Sequence, residues 1–359
     1  SDFHGGRLSV CLRNVDSEGD DEALPTVLEA VNMTQGCQLA CTSGSKTLWT
    51  DMLRKEQASC LSASSEYVVV GCDSGLLQVL TSSGKRCLCP IMLDSAPALL
   101  HLGGAKGDSS LGGNSNLLTI TILGNLFVWD LQKQTRVVST SVRELLSNST
   151  SSTNGDTSTT RSNNKTIVSA YMSPSQCPVV ILSTMEVFVF HQGMLCWQRL
   201  LDSAYPYSTF QLSPVAGQDK VMGDSNENPL ASLRVESMKA NLGAANHHSA
   251  SSLLLKSTVA EGNDDSRRHL EDLMNAAVLL KSAEEYRTYL IAYAKHLAAS
   301  QDEERIRALA TDLTGPIDMT GEGAAVAGSW SSSILGMSSH RWNVRDGILT
   351  YVFVSSVQV

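Results

Sequence analysis

The sequence lacks the short motifs that place a catalytic site on a chain. It contains no Walker phosphate loop, no Gly-x-Gly-x-x-Gly fingerprint and no Gly-x-Ser-x-Gly nucleophile elbow. Its eight histidines are scattered, and the adjacent pair His247-His248 has no other metal-binding residue type close to it in the chain. His269 and His296 fall on predicted helices, where we expect solvent-facing or capping roles. These absences predict a protein that is not an enzyme and has no metal or cofactor site.

Long hydrophobic runs and paired cysteine motifs are also missing. No stretch approaches the roughly 18 apolar residues of a membrane span, and no secretory signal opens the chain. The nine cysteines are odd in number, and neither Cys37-x-x-x-Cys41 nor Cys87-x-Cys89 has the second half of a zinc site. We therefore predict free thiols, a reducing compartment and no membrane partner. Because the sequence begins with Ser1 rather than methionine, we expect a fragment of a longer protein.

Charged residues are few, and acidic residues outnumber basic ones. Charged residues make up 18% of the chain and the net charge is −9, so we predict no direct sequence-specific DNA binding. One acidic cluster, at residues 16–22, could attract basic protein tails. The same cluster is also typical of a solvated loop, and the sequence leaves both alternatives open.

Residues 36–212 have the pattern of β-strands joined by tight Gly, Ser or Asn turns. The predicted strands fall into three groups: 59–63, 67–72 and 76–81; then 98–102, 117–122, 126–130 and 136–140; then 166–172, 179–182, 187–191 and 194–200. Once two polar insertions are set aside, the groups recur at about the forty-residue spacing of four-stranded propeller blades. Trp129-Asp130, at a strand end, is the dipeptide that names WD repeats. We therefore predict a mainly β fold of WD40-like, propeller-type blades, followed by a small helical unit.

Composition divides the chain into five segments. We assign 1–35 to an N-terminal extension with the acidic loop, 36–212 to the β region, 213–264 to a flexible linker, 265–316 to a helical block and 317–359 to a tail. The β region contains two Gly/Ser/Thr/Asn-rich insertions, 103–116 and 147–165, which we expect to be disordered loops. Within the linker, Leu230–Val235 has the pattern of one ordered strand.

The helical block is predicted to contain three amphipathic helices. Asp264 and Asp265 precede the apolar stripe of the first helix. Ser282 and Glu285 have the capping-box spacing and would start the second helix. Asp302 would cap the third. Short connections between such helices predict a small antiparallel packing unit.

Five residues are candidates for contacts with protein partners. Trp129 and Asp130 stand at a strand end, and Tyr286, Tyr289 and Tyr293 form an aromatic stripe on the second predicted helix. Aromatic residues of this kind often anchor interfaces. The same stripe is also typical of a core, and core packing of the tyrosines against the β region is the favoured alternative. Trp129 could be packed inside its own blade while Asp130 bonds a turn, and these alternatives stay open.

Two separated blocks of the sequence carry the wording of a known family. In the helical block the matching residues are Leu270-Glu271, Ala276-Ala277, Leu279-Leu280, Ser282, Glu285-Tyr286-Arg287, Leu290, Tyr293-Ala294, Arg305, Arg307-Ala308-Leu309 and Asp312-Leu313-Thr314-Gly315-Pro316. In the β block they are Tyr67–Cys72, Asp73, Val79, Gly84-Lys85-Arg86 and Leu126–Asp130. Together these blocks resemble the C-terminal region of the Hir family of histone chaperones. From Arg341 onward the tail departs from the family, whose members continue with a leucine-rich helix.

The resemblance implies a nuclear scaffold for replication-independent nucleosome assembly and transcriptional regulation. It implies self-association as a trimer and docking of a Cabin-type calcineurin-binding subunit. A ubinuclein-type subunit and the anti-silencing chaperone are expected to bind the N-terminal part of the full-length protein, and histones 3 and 4 are reached through the complex. The residue pattern alone also fits a WD-type scaffold of another pathway, such as a transcriptional corepressor or a trafficking adaptor. A propeller hydrolase is the third alternative.

Overall fold

The computed structural model describes residues 6–12, 26–103, 115–147, 165–173, 175–202, 205, 208–210, 228–242, 259–314, 333–335 and 337–338. The acidic cluster at 16–22, most of both predicted insertions and nearly all of the tail lie outside these residues. By its contacts the chain separates into two compact units. The first comprises Ser1–Met172, Gln176–Val180 and Phe190–Cys196, and the second comprises Ser173–Ser175, Ile181–Val189 and Trp197–Val359.

Four antiparallel sheets contain four consecutive strands each, in chain order. The first has β1 (Arg7–Leu12), β2 (Thr26–Met33), β3 (Gly36–Ser43) and β4 (Lys46–Arg54), and the second has β5 (Ala58–Ala63), β6 (Tyr67–Cys72), β7 (Leu76–Thr81) and β8 (Ile91–Met92). The third has β9 (Pro97–Gly103), β10 (Asn116–Thr121), β11 (Asn125–Asp130) and β12 (Thr135–Ser141), and the fourth has β13 (Ile167–Met172), β14 (Pro178–Leu182), β15 (Val187–His191) and β16 (Cys196–Leu201). A short pair, β17 (Ser333–Ile334) and β18 (Met337–Ser338), follows. The four-stranded meanders confirm the predicted WD40-like blades.

The first sheet begins inside the segment that the sequence analysis assigned to an N-terminal extension. β1 and β2 pair along their length, from Arg7 opposite Val31 to Leu12 opposite Thr26. β2 alternates buried and partly exposed residues, which is the period of a half-buried strand. Treating 1–35 only as an extension was therefore wrong. Residues 13–25 separate the two strands in the chain, so their pairing is a long-range contact that no local sequence pattern reveals.

The sheets of the first unit follow one another through their first strands. β1 lies beside β5, β5 beside β9 and β9 beside β13, which is the radial repetition of propeller blades. Buried side chains shared by neighbouring sheets form the core, with Leu28 and Leu39 in one cluster and Leu77 and Leu117 in the next. These four leucines are fully buried, and each such burial stabilises the fold by about 1.5–3 kcal/mol.

Five helices complete the described structure: α1 (Arg143–Leu146), α2 (Pro229–Leu242), α3 (Val259–Leu279), α4 (Ala283–Ser300) and α5 (Glu303–Thr314). α3 packs on α4 and α4 on α5, so the predicted three-helix block is present. Asp302 caps α5 as predicted, because its carboxylate accepts the amide proton of Arg305 at 3.2 Å. The strand predicted at Leu230–Val235 is wrong, since these residues belong to α2. Pro229 occupies the first helical position, where its fixed φ and missing amide proton suit a helix start.

The first helix of the block begins earlier than predicted. Asp264 and Asp265 lie inside α3 rather than ahead of it. Asp264 forms ion pairs with Arg267 at 2.5 Å and with Arg268 at 2.6 Å. Ion pairs between residues three and four positions apart stabilise a helical turn. They therefore support the polar N-terminal part of α3, which precedes its apolar stripe.

Candidate interaction surfaces

Trp129 lies near the end of β11 and is half-buried. Its backbone stands opposite Leu117 on β10 and Arg136 on β12, and the pairing with β12 shifts register between Val128 and Trp129. The indole packs on the cluster shared by the second and third sheets. Its ring lies 5.4 Å from that of Phe127, centroid to centroid. The indole is therefore packed on one side and remains partly exposed to solvent.

Asp130 holds the turn that follows β11. Its side chain is 3% exposed, and its carboxylate accepts the amide proton of Lys133 at 2.9 Å. The Lys133 ammonium lies 2.9 Å from the other carboxylate oxygen. Burial alone would raise the pKa of this carboxyl, but the Lys133 amide and ammonium, with the Gln132 amide, bring the pKa below its ordinary value. The geometry thus gives Asp130 a local role in its own blade.

The three tyrosines of α4 are buried inside the helical unit. Tyr286, Tyr289 and Tyr293 are 7%, 4% and 8% exposed. Burial raises the pKa of Tyr286 and Tyr289 to about 12. The Tyr293 hydroxyl donates to Glu271 on α3 at 2.8 Å. Trp129 and Asp130 belong to the first compact unit and the tyrosines to the second, so the five candidates do not share one unit.

Glu285 caps the start of α2, whereas the sequence analysis predicted that it caps its own helix. Ser282 stands at the N-cap of α4, which confirms the predicted helix start, but it makes no side-chain capping bond, so the predicted capping box does not form. Glu285 is instead 2% exposed, and its carboxylate accepts the amide protons of Leu230 at 3.0 Å and Ala231 at 2.8 Å. These amides belong to the first turn of α2, whose positive dipole end favours a carboxylate. Glu285 therefore attaches α2 to α4.

A polar seam along α3 was missed by the sequence analysis. Three side chains spaced three residues apart on one face of α3 each bond a residue of the segment 205–209. The pairs are Tyr205 with Asp272, Ser208 with His269 and Thr209 with Ser266. The three-residue spacing was the available signal. Tyr205, Ser208 and Thr209 lie outside the described helices and strands, so no periodic pattern pointed to their contact with α3.

His269 is the buried centre of this seam, and its predicted solvent-facing or capping role is wrong. It is 5% exposed, stacks on the Tyr205 ring at 5.3 Å and lies 2.8 Å from the Ser208 hydroxyl. Burial, with a smaller effect of Arg234, lowers the pKa of His269 to about 4. The cleft beside it has a volume of about 20 Å³, the space of a single water, so it does not fit a substrate.

Among the residues that the structure describes, no group of three or more His, Cys, Asp or Glu side chains is arranged to hold a metal ion. Within the same residues, no helix is both long and apolar enough to cross a membrane.

The described cysteines are free thiols, and burial raises the pKa of Cys60 to about 11 and of Cys72 to about 12. Burial therefore makes the Cys60 and Cys72 thiols poor nucleophiles.

Comparisons with known proteins agree with this fold. The family model described as "Hira: TUP1-like enhancer of split" matches residues 84–313, which is more than half of the chain. The protein HIRA of Oryza sativa subsp. japonica is 26% identical over 360 residues, covering 95% of this chain and 34% of the relative. Human HIRA is 25% identical over 319 residues, covering 87% of this chain and 27% of the relative.

One solved structure shares the fold over nearly the whole chain. The crystal structure of a HIRA fragment is 20% identical, with a TM-score of 0.57, and the match covers 98% of this chain and 91% of that one. The chain spans about a third of the length of the first curated relatives it matches. The extent of the family match confirms the resemblance seen in the sequence, and the chain belongs to the Hira family of histone chaperones.

Proposed function

We propose that this chain is a scaffold region of a nuclear histone chaperone complex that assembles nucleosomes independently of replication and regulates transcription. Membership in the Hira family supports the proposal, as does the similarity to HIRA proteins of plants and animals. The chain contributes by self-association as a trimer and by docking partner subunits. Histones 3 and 4 are handled by the assembled complex, and the chain itself performs no catalysis.

The observation that supports the proposed self-association is the partial exposure of Trp129. Of the five residues predicted to make contacts, Asp130 and the three tyrosines are between 3% and 8% exposed, whereas Trp129 is only half-buried. A rigidly backed indole with one open face is the type of anchor on which interfaces concentrate their binding energy. The self-association surface is therefore assigned to the β11 strand end, and the tyrosines are assigned to the support of the helical unit.

The partner subunits are those that the family resemblance implies. The Cabin-type calcineurin-binding subunit docks on this region once it has self-associated. The ubinuclein-type subunit and the anti-silencing chaperone bind parts of the full-length protein that this chain does not cover, consistent with its spanning about a third of its relatives. A trimeric scaffold presents each docking surface three times, which raises the avidity of a multivalent partner.

Light scattering after size-exclusion chromatography tests the self-association. Trp129→Ala is compared with wild type and with Trp49→Ala, a matched control. Trp49 on β4 is another half-buried indole, and its ring N–H donates to the carbonyl of Ser82, just after β7, at 2.9 Å. Both substitutions remove the same side chain and lower stability, but only Trp129 lies at the proposed surface.

We expect a wild-type trimer, a trimeric but less thermostable Trp49→Ala variant, and a folded monomer for Trp129→Ala. Circular dichroism confirms that the monomer is folded. A wild-type chain that stays monomeric up to high micromolar concentration contradicts self-association. A trimer that survives Trp129→Ala moves the surface elsewhere on the chain.

A further inference from the structure

In three of the four sheets, the third strand ends in a residue whose side chain holds the turn that follows. In the second sheet the Thr81 hydroxyl accepts an amide proton of the turn at 3.1 Å. In the third sheet the Asp130 carboxylate accepts one at 2.9 Å. In the fourth sheet the acceptor is a ring nitrogen, because Nδ1 of His191 lies 3.0 Å from the amide nitrogen of Met194. The chain thus closes the same turn with three different side chains.

The turn of the fourth sheet has a strained backbone and little packing. Each of the three turns contains one left-handed residue, which is Gly84 in the second sheet, Gln134 in the third and Leu195 in the fourth, with φ values of 85°, 53° and 52°. Glycine adopts this conformation without strain, whereas a leucine brings its Cβ close to a carbonyl oxygen. Leu195 and Met194 are also 76% and 64% exposed. The hydrogen bond to His191 therefore opposes backbone strain with little help from side-chain packing.

This hydrogen bond determines which ring nitrogen of His191 carries the proton. A backbone amide can only donate, so Nδ1 is unprotonated and the proton of the neutral ring lies on Nε2. The ring lies close to the turn, since a Cβ at Gly193 would be 3.2 Å from its Cε1 and 3.6 Å from its Nδ1. A second proton would turn Nδ1 into a donor that faces the amide of Met194. Protonation thus removes the bond and places two N–H groups against each other.

His191 is the group near this turn that titrates in the neutral range. We considered the strands of the fourth sheet, the strands β9 and β10 that pack on it, and two residues on either side of each. Besides His191, the titratable and charged groups there are His101, Lys165, Tyr171, Cys177, Glu186, Cys196, Arg199 and Asp202. Carboxyls ordinarily titrate below about pH 5, and thiols, phenols and the basic side chains above about pH 8. The other histidine, His101, has its pKa lowered by burial.

We propose that protonation of His191 opens the turn between β15 and β16, so that the fourth sheet contains a pH-sensitive switch. Histidine side chains change charge between about pH 5 and pH 8, so the bond to Met194 is present at the upper end of this range and lost toward the lower end. The Thr81 hydroxyl does not titrate, and Asp130 stays charged throughout the range, so the turns of the second and third sheets stay closed. The switch requires only the fold, not the proposed self-association. Opening changes how Met194 and Leu195 are presented to solvent.

Nuclear magnetic resonance of the whole chain, labelled at its methionine methyl groups, tests the switch. The Met194 methyl signal should follow a single-proton titration between pH 8 and pH 5. Met185 is the internal control, because it is 41% exposed in the turn at the other end of β15 and its signal should move much less. Hydrogen exchange reports the bond itself. The protection of the Met194 amide, corrected for the intrinsic effect of pH on exchange, should fall at least five-fold from pH 7.5 to pH 5.5.

Two matched variants identify the group responsible. His191→Asp places in the fourth sheet the carboxylate that closes the turn of the third, and His191→Thr places there the hydroxyl that closes the turn of the second. Each should keep the protection of the Met194 amide equal at pH 7.5 and pH 5.5. A wild-type Met194 amide that is equally protected at both pH values overturns the switch, even where the methyl signal titrates. A loss of protection that persists in the two folded variants also overturns it, because another group must then cause the change.

Discussion

The carboxylate of Glu285 on α4 accepts the amide proton of Leu230 at the start of α2, at 3.0 Å. A helix terminus leaves its first amide protons unsatisfied, and here a buried side chain of another helix satisfies two of them. Burial raises the pKa of Glu285, and the amides of Ala231 and Leu230 partly offset this increase. One side chain therefore determines both the start of α2 and its attachment to α4.

Glu285→Gln should detach α2 without unfolding the rest of the chain. The amide keeps the size of the side chain but loses the charge and one acceptor, and hydrogen bonds to a charged group contribute about 1.5–3 kcal/mol. We expect the free energy of unfolding to fall by about 1–3 kcal/mol, with faster hydrogen exchange at the Leu230 and Ala231 amides. Glu284→Gln is the control, because this neighbouring side chain is 59% exposed, and it should change stability by less than about 0.5 kcal/mol. Equal effects of both substitutions would refute the capping role.

His269 should make the stability of the helical unit depend on pH. Its folded pKa of about 4 lies below the ordinary value near 6.5, so the unfolded chain binds the proton more tightly. This contribution to stability is complete above about pH 6.5 and is lost as the pH falls toward 4. It amounts to no more than about 3 kcal/mol.

Urea titrations at several pH values between 7 and 4.5 measure this effect. His269→Gln should be less stable than wild type at pH 7, and the difference should shrink as the pH is lowered, because only wild type loses the histidine contribution. Carboxylates elsewhere titrate in both proteins and cancel in the comparison. A difference in stability that stays constant with pH would mean that folding does not change the pKa of His269.

The strands were predictable because their signals are local. In the third sheet, the alternation in β11 and the Leu123-Gly124-Asn125 turn predict the β10–β11 hairpin without any knowledge of the rest. α2 was not predictable, because the carboxylate that caps it lies 55 residues further along the chain. For the tyrosine stripe, helical periodicity predicts which side chains share one face of the helix, but not what packs against that face. A buried core and a partner surface have the same pattern, and only the packing of α3 on α4 distinguishes them.

Gly84 should tolerate no side chain. Its φ is 85°, and a Cβ at this position would lie 2.6 Å from the Trp49 ring. Gly84→Ala therefore combines left-handed strain with displacement of a packed indole, and we expect a loss of about 2–4 kcal/mol in chemical denaturation. Gly6→Ala is the control, since its Cβ would meet only the Asn32 side chain at 3.8 Å. A loss below about 1 kcal/mol for Gly84→Ala would show that the indole can move aside.

The bond between Tyr293 and Glu271 tests whether the tyrosines support the fold or bind a partner. Glu271 also contacts Arg267 at 3.0 Å, so the hydroxyl belongs to a network that joins α3 and α4. Tyr293→Phe removes only that hydroxyl, and we expect a loss of about 1–2 kcal/mol because the carboxylate loses a donor in a partly buried site. Assembly measured by light scattering should not change.

A double-mutant cycle with Glu271→Gln separates the pair from its surroundings. If the hydroxyl and the carboxylate stabilise each other, the combined substitution should cost about 0.5–1.5 kcal/mol less than the sum of the single ones. Additive effects would mean that the 2.8 Å contact contributes nothing measurable. A Tyr293→Phe chain that keeps wild-type stability but no longer assembles would indicate that the tyrosine stripe contacts a partner. A buried core residue would affect assembly only by lowering the stability of the fold.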